Sequence, residues 1–505
     1  MFRRFTFLAL ATLGLAIPFG ASAETVIKVG FPIILSGPGA LFGEPALKGA
    51  QMFVEELNAK GGVLGRKMEL LFRDTKGNAD EAVRVSRELI LKDNVDFIVG
   101  TLTSAEGPAV STIAKENKIV FVAPIPKTDQ LTAPANLHPY VFRTAAITTT
   151  EGRSAAEIVA KWNVKRVGTI GPDYAYGQDV TKAFVEHLKK LRSDVEIVDQ
   201  QWPKLGEGDY TPFINAQLAK KPEAVFSSLW GGNFVTFAKQ AKPLGYFEAL
   251  KSNFIGAGEA GSIESAKAMA ADYPVGIWGN TYDIFNWDSG PPAHKEYIDR
   301  LKQYTKEQYP GSWPITGYVA MEVLTEAIRK ANGTDSDKVA KALLDLAVDT
   351  PVGIMTIRAK DHNANRGQFW GKMVMDPKYP FAVMQDAVKK MDAIMASHQF
   401  TKESYRQAAQ RFVESYRNNV GRSLGHPVGM EVHDVQSPQE LLKPGYVFTI
   451  EPALTVPEER IYIRLEDVLV ITESGYENLS AFVPETIAEV ESAMSGAKVT
   501  IPAKR

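Results

Sequence analysis

Twice along this chain, short runs of β-branched and aromatic residues alternate with amphipathic helical stretches. That alternation restricts the fold more than any other feature. Parallel strands need a crossover of a dozen or more residues, which a helix supplies, and a sheet covered on both faces is built from continuous apolar strands. The first series predicts strands near 26–29, 68–72, 96–100 and 119–122, with helices over about 45–58, 79–91 and 110–116. The second begins near Thr148 with a helix to Lys161. Strands at 166–170, 195–198 and 224–229 follow, separated by helices at 178–191 and 213–219. Strands at 253–256 and 275–279 extend this series, then come long helices at 294–308 and 318–330. Residues 351–357 and 370–375 read as strands returning to the lobes. The expected fold class is therefore α/β, with one lobe over about 24–145 and a second over about 146–280, inside a domain of 24–396.

The chain has 505 residues, long enough for more than one core. Its 57 basic and 59 acidic residues nearly cancel, and no long basic run supplies a footprint for nucleic acid. The absence of cysteine excludes disulfides, thiolate metal sites and cysteine nucleophiles. Residues 1–23 stand apart. Arg3 and Arg4 precede an apolar stretch from Phe5 to Phe19, and Ala21-Ser22-Ala23 follows as a small-residue cleavage site. This pattern predicts a cleaved signal peptide and a periplasmic product.

In an open α/β sheet, small ligands bind outside the carboxyl ends of the strands. Several predicted strand ends carry suitable groups. Thr103-Ser104-Ala105 precedes a helix, where backbone N–H groups and the helix dipole favour a carboxylate; an N-cap by Ser104 or Thr103 is the simpler reading of this segment alone. Phe42, Tyr174, Tyr176 and Trp230 offer aromatic walls, although each taken singly reads as core. Asn233 lies just beyond Trp230. Glu259 would pair with a ligand ammonium, since a buried carboxylate without a partner is costly.

Residues from Thr25 to about Asp386 resemble the periplasmic solute-binding proteins of branched-chain amino-acid ABC transporters. The matching text is Leu35-Ser36-Gly37-Pro38, Gly49-Ala50, Asn58-Ala59-Lys60-Gly61-Gly62, Ala123-Pro124 and Tyr176-Gly177. The resemblance implies a type I periplasmic-binding-protein clamshell, with a three-stranded hinge closing on a small ligand for delivery to a membrane permease, without a cofactor. By the same resemblance Ser104 and Ala105 hold the ligand α-carboxylate, Phe42 and Tyr176 (with Tyr174 nearby) wall the pocket, and Asn233 replaces a tyrosine after Trp230. Glu259 meets the α-ammonium. One stretch departs from the pattern: Ile125-Pro126-Lys127-Thr128 stands where small residues and a threonine are expected. The first reading of Lys127 is a solvent-facing side chain. The alternative is contact with a second ligand carboxylate or replacement of a hydroxyl contact, so amino acids, amides and aromatic carboxylates all remain open as ligands.

Beyond about Ala396 the α/β alternation stops and strand-like text appears at 446–450, 461–464 and 468–472. Gly425-His426-Pro427-Val428-Gly429, His433, Leu442-Lys443-Pro444-Gly445, Glu451-Pro452, Arg464-Leu465-Glu466-Asp467 and Glu473-Ser474-Gly475 resemble the C-terminal half of the pita-bread metallopeptidases. The resemblance implies a partial α+β unit over 397–505, with His426, Glu451 and Glu466 as ligands for a divalent Mn, Zn or Co. It also makes His433 a substrate-side catalytic histidine and places Arg464 behind the ligands. Two metal-binding aspartates of that family have no counterpart. Asp392 is the only aspartate from 391 to 425, and Arg422 stands where a histidine is common. The expectation is a truncated, inactive remnant fused to a binding protein, with a metal-dependent X-Pro peptidase as the alternative.

Overall fold

The computed structural model describes residues 26–288 and 290–385 and, further on, the backbone of five strands between Val447 and Asn478. The predicted signal segment lies outside the described residues. Residues 1–390 and 391–505 form two separate units.

The first unit opens with β1 (Ile27–Ile33), α1 (Ala40–Ala59), β2 (Met68–Asp74), α2 (Ala79–Leu91), β3 (Phe97–Val99), α3 (Glu106–Asn117), β4 (Phe121–Ala123) and β5 (Val141–Arg143). Its strands form a parallel sheet in the order β2-β1-β3-β4-β5. The two faces divide by the period of two that a strand imposes. Phe97, Val99, Val120 and Val122 enter the core shared with α1, whereas Ile98, Phe121 and Ala123 pack with Leu89 and Val110 of α2 and α3. Helix α1 begins five residues before the predicted start. Pro45 sits inside it, where it costs one backbone hydrogen bond without ending the helix.

Next come α4 (Thr148–Val159), β6 (Arg166–Ile170), α5 (Ala175–Leu191), β7 (Glu196–Gln201), α6 (Thr211–Ala219) and β8 (Ala224–Ser227). They are followed by α7 (Gly231–Ala241), α8 (Tyr246–Ala249), β9 (Phe254–Gly256), α9 (Ile263–Met269) and β10 (Trp278–Thr281). Phe184 of α5 stacks on Phe226 of β8 with centroids 4.1 Å apart.

The chain then returns to the first sheet through α10 (Pro292–Thr305), α11 (Pro314–Ala331) and α12 (Ser336–Leu343) and the hairpin of β11 (Leu346–Thr350) and β12 (Gly353–Ile357). It re-enters the second sheet as β13 (Phe369–Met375) and β14 (Ala382–Gln385), giving the order β14-β13-β10-β9-β8-β6-β7 with β13 and β14 antiparallel. Residues 351–357, read from sequence as one strand, are the hairpin turn plus β12. Thr350 Oγ1 donates to the Gly353 carbonyl across that turn. The crossing segments meet at Arg143, whose N–H donates to the His362 carbonyl and whose carbonyl accepts from the Ala364 N–H.

In the second unit, β15 (Val447–Ile450) pairs antiparallel with β18 (Asp467–Thr472), which pairs with β19 (Gly475–Asn478). Strands β16 (Ala453–Val456) and β17 (Ile461–Arg464) form a separate antiparallel pair. Residues 402–418, whose sequence reads as helical, lie outside the described residues. No helix among the described residues is long and apolar enough to cross a membrane.

Helices α1 and α11 approach backbone to backbone. A methyl group on Gly317 would lie 2.0 Å from the Ala46 carbonyl oxygen, and one on Gly49 would lie 1.8 Å from that of Pro314. Gly317→Ala is therefore expected to force the helices apart and lower the unfolding free energy by about 1–3 kcal/mol, measured by urea denaturation. At the head of α11, the Glu264 carboxyl of α9 accepts the N–H groups of Ser312 and Trp313 at 3.1 and 3.0 Å. Burial raises Glu264 from 4.5 to about 7 despite these hydrogen bonds and the nearby Lys267. A folded-state value above the unfolded one means that its stabilising share is complete below about 4.5 and is lost as pH rises through 7. Melting temperatures at pH 5 and pH 8 should therefore drop more for the unmodified protein than for Glu264→Gln, by a difference on the order of 3 kcal/mol in stability.

Candidate functional site

The carboxyl ends of β1, β3 and β4 face those of β6, β8 and β9 across a cleft that holds a cavity of about 300 Å³, the space open to solvent at its mouth included. Aromatic rings form much of its wall. Phe42, in the first turn of α1, stacks on Trp313 at a centroid distance of 4.1 Å and lies 6.3 Å from Trp230. Tyr174 and Tyr176, at the start of α5, stand 6.2 Å apart on the opposite lobe. Leu102, Ser104, Ile125, Lys127, Gly258 and Glu259 complete the lining. Direct contacts bring the two lobes together. The Gly232 N–H donates to the Pro38 carbonyl, and Thr128 Oγ1 donates to Asp179 Oδ2 at 2.7 Å.

At the start of α3, Thr103 and Glu106 satisfy one another. Thr103 Oγ1 accepts the Glu106 N–H at 3.1 Å, while Glu106 Oε2 accepts those of Thr103 and Leu102 at 2.8 and 3.2 Å. This reciprocal pair supports the simpler reading of Thr103 as a helix cap. Ser104 lines the cavity, and its hydroxyl oxygen accepts the Thr128 N–H. Burial holds Glu106 above the usual carboxylate range, with the hydrogen bonds from Thr103 and Leu102 opposing the shift.

Lys127 corrects the first sequence reading. Its side chain does not face solvent: the residue is 4% exposed, and Nζ donates to Glu151 Oε1 at 2.7 Å and to Glu259 Oε1 at 2.5 Å. Lys127 follows β4 in the first lobe, whereas Glu151 in α4 and Glu259 after β9 belong to the second. Burial by itself would push the lysine down, but the two carboxylates hold it above its ordinary value. Glu259 is raised to about 7, first by burial and then by the charge of Glu151, against the pull of Lys127 and a hydrogen bond from Gln368. The lysine thus stays charged, and Glu259 holds a proton more readily than an exposed carboxylate does.

The backbone turns sharply to aim Glu259 inward. Gly258 and Glu259 have φ of 67° and 59°, the left-handed region that a non-glycine residue enters at some cost. A methyl group on Gly258 would lie 2.8 Å from Trp230 Cβ. Glu151 Oε1 also accepts from Asn280 Nδ2 at 2.6 Å and from the Gly258 N–H at 3.3 Å.

The other predicted site residues do not line the cavity. Asn233 turns away, its side-chain oxygen accepting the Gly206 N–H at 2.9 Å. Thr128 is engaged with Asp179, and Ala105 and Thr103 belong to the head of α3. Glu151, Gln368, Asn280 and Trp313 were missed. Glu151 lies in α4, Trp313 before α11 and Gln368 before β13, away from the predicted strand ends, and Asn280 lies in β10 itself, where no local pattern singles it out. His426, His433, Glu451 and Glu466 lie outside the described residues, and of Arg464 only its place at the end of β17 is described. Among the described residues no group of three or more acidic or histidine side chains is placed to hold a metal.

Comparison with known proteins agrees with this architecture. Residues 379–473 match the metallopeptidase family M24. A Leu/Ile/Val-binding protein of Escherichia coli (strain K12) is 26% identical over 339 residues, covering 65% of this chain and 86% of the relative. A solute-binding protein of Rhodopseudomonas palustris HaA2, solved with p-hydroxybenzoic acid, superposes with a TM-score of 0.65 at 20% identity, covering 71% of this chain and 96% of that one. A branched-chain amino-acid transporter substrate-binding protein of Streptococcus pneumoniae, solved with isoleucine, gives 0.63 at 22% identity, covering 71% and 99%. These neighbours share the type I periplasmic-binding-protein fold. Residues 26–374 match the family described as periplasmic binding protein, and with two lobes closed over one cavity the chain belongs to that family.

Proposed function

We propose that this protein is an exported solute-binding protein that captures a small organic carboxylate, an amino acid or an aromatic acid, between its lobes and presents it to the permease of an ABC importer. The observation that carries this reading is the cavity itself. It lies at the strand ends of both lobes, is walled by Phe42, Trp230, Trp313 and two tyrosines, and is lined as well by Ser104 and Lys127, whose hydroxyl and ammonium can donate hydrogen bonds. Relatives named for binding leucine, isoleucine and valine, and neighbours solved with isoleucine and with p-hydroxybenzoic acid, bracket the same ligand range. A ligand touching both lobes favours the closed arrangement by the contacts it makes only there. The permease then reads closure, and membership of the periplasmic binding protein family supports a periplasmic location.

Titration calorimetry with a panel of amino acids and aromatic acids tests the reading. At least one compound should bind saturably in the micromolar range or tighter, and a folded protein that binds none rejects the proposal. Trp230→Ala should weaken that binding by at least tenfold through loss of aromatic contact. Binding should also depend on pH. Around Glu259 lie Lys127, Glu151, Gln368, Tyr176 and Tyr282. As pH rises through about 7, Glu259 gains negative charge beside the ligand anion. The affinity for a carboxylate should therefore fall several-fold between pH 6 and pH 8, and Glu259→Gln should flatten that dependence.

A further inference from the structure

We infer that Lys127 is the residue that sets specificity in this cleft: its ammonium fills the place between Glu151 and Glu259, so the cleft takes a carboxylate without an α-ammonium and excludes free α-amino acids. The inference rests on the solute-binding reading above and narrows its ligand class.

The geometry supports this from the cation's side and from the acids' side. Lys127 Nζ donates to both carboxyl groups and lies 5.0 and 5.6 Å from the ring centroids of Tyr282 and Tyr176, a setting of two acids and two aromatic faces that suits one buried cation. The acids are engaged elsewhere too: Glu151 Oε1 accepts from Asn280 and Gly258, and Glu259 Oε1 accepts from Gln368. Other carboxylates near the cleft are engaged through one oxygen each, Glu106 Oε2 by the head of α3, Asp179 Oδ2 by Thr128 and Asp283 Oδ1 by His294, while Glu106 Oε1, Glu151 Oε2 and Asp283 Oδ2 are buried without a hydrogen-bond partner among the described residues. A ligand ammonium brought to Glu151 and Glu259 would meet the lysine ammonium already seated on their Oε1 atoms, and like charges at such range repel strongly when water is excluded.

The lysine is also fixed in place. The buried Arg143 guanidinium donates to the carbonyls of Lys127 and Thr128 at 2.8 and 2.9 Å, tying down the loop that carries it. What remains facing the cavity is donor-rich. Ser104 and Lys127 line it, and so does Trp313, whose buried Nε1 has no hydrogen-bond partner among the described residues. Donors set among stacked rings suit a planar or branched apolar body bearing a single carboxylate.

Matched pairs of compounds that differ only in the amino group test this on the unmodified protein: L-leucine with 4-methylpentanoate, L-phenylalanine with 3-phenylpropanoate, and L-phenylglycine with phenylacetate. In every pair that binds, calorimetry should find the amino-free acid tighter by at least a hundredfold, about 2.8 kcal/mol. An amino acid that binds as tightly as its amino-free partner overturns the inference and leaves the solute-binding reading standing. Silence across all pairs and the wider panel removes that reading, and the inference with it. Lys127→Ala should shift the preference toward the amino acid by at least tenfold, and an unchanged preference overturns the assignment. A ligand-free check uses melting temperatures of Lys127→Ala, Glu259→Gln and the double variant. The double variant should regain part of the loss caused by Lys127→Ala, and strictly additive losses overturn the inference.

Discussion

One buried ammonium organises the cleft. Lys127 leaves the first lobe and ends between two acids of the second, so the closed arrangement carries its own cation where a ligand could otherwise have supplied one. Burying these charges is expensive, and their mutual attraction roughly offsets the cost only when geometry and further hydrogen bonds are good. Asn280, Gln368 and the Gly258 N–H supply those bonds. Such a triad is better understood as a device for specificity than as a source of stability.

The same physics bears on motion. When the lobes part, water can solvate Lys127, Glu151 and Glu259 separately, so the ion pairs by themselves bias the equilibrium only modestly. The balance is then set by the remaining contacts between lobes: the Phe42–Trp230 stack, the Thr128–Asp179 bond and the Gly232–Pro38 bond. A ligand that adds contacts to both sides tips that balance, as a binding protein with modest intrinsic bias requires. Arg143 serves both parts of this scheme. It joins the crossing segments through its backbone and steadies the Lys127 loop through its side chain.

The C-terminal unit carries a different history. Most of the metallopeptidase-family match at 379–473 falls on it, yet the sequence lacks the paired aspartates that the resemblance calls for, and its described strands form two small antiparallel sheets. The chemistry argued for this protein therefore rests on the first unit alone.

Much of the binding unit was legible in the amino-acid order. Strand and helix alternate with periods of two and 3.6, so β1, β6, α2 and four strands of the first parallel sheet could be anticipated, the three-residue β5 excepted, and ligand-facing positions follow because loops at strand ends have a defined place in such sheets. Phe42, Ser104, Tyr174, Tyr176, Trp230 and Glu259 were found that way and do line the cavity. Tertiary structure alone decided the direction of Lys127 and the parts played by Glu151, Gln368 and Trp313. Lys127 meets acids 24 and 132 positions away, and no local period encodes such a meeting. A lysine beyond a strand end can reach water or cross a cleft with equal ease of backbone. Only the second lobe, folded and brought opposite, supplies the carboxylates that make the inward direction the lower in free energy.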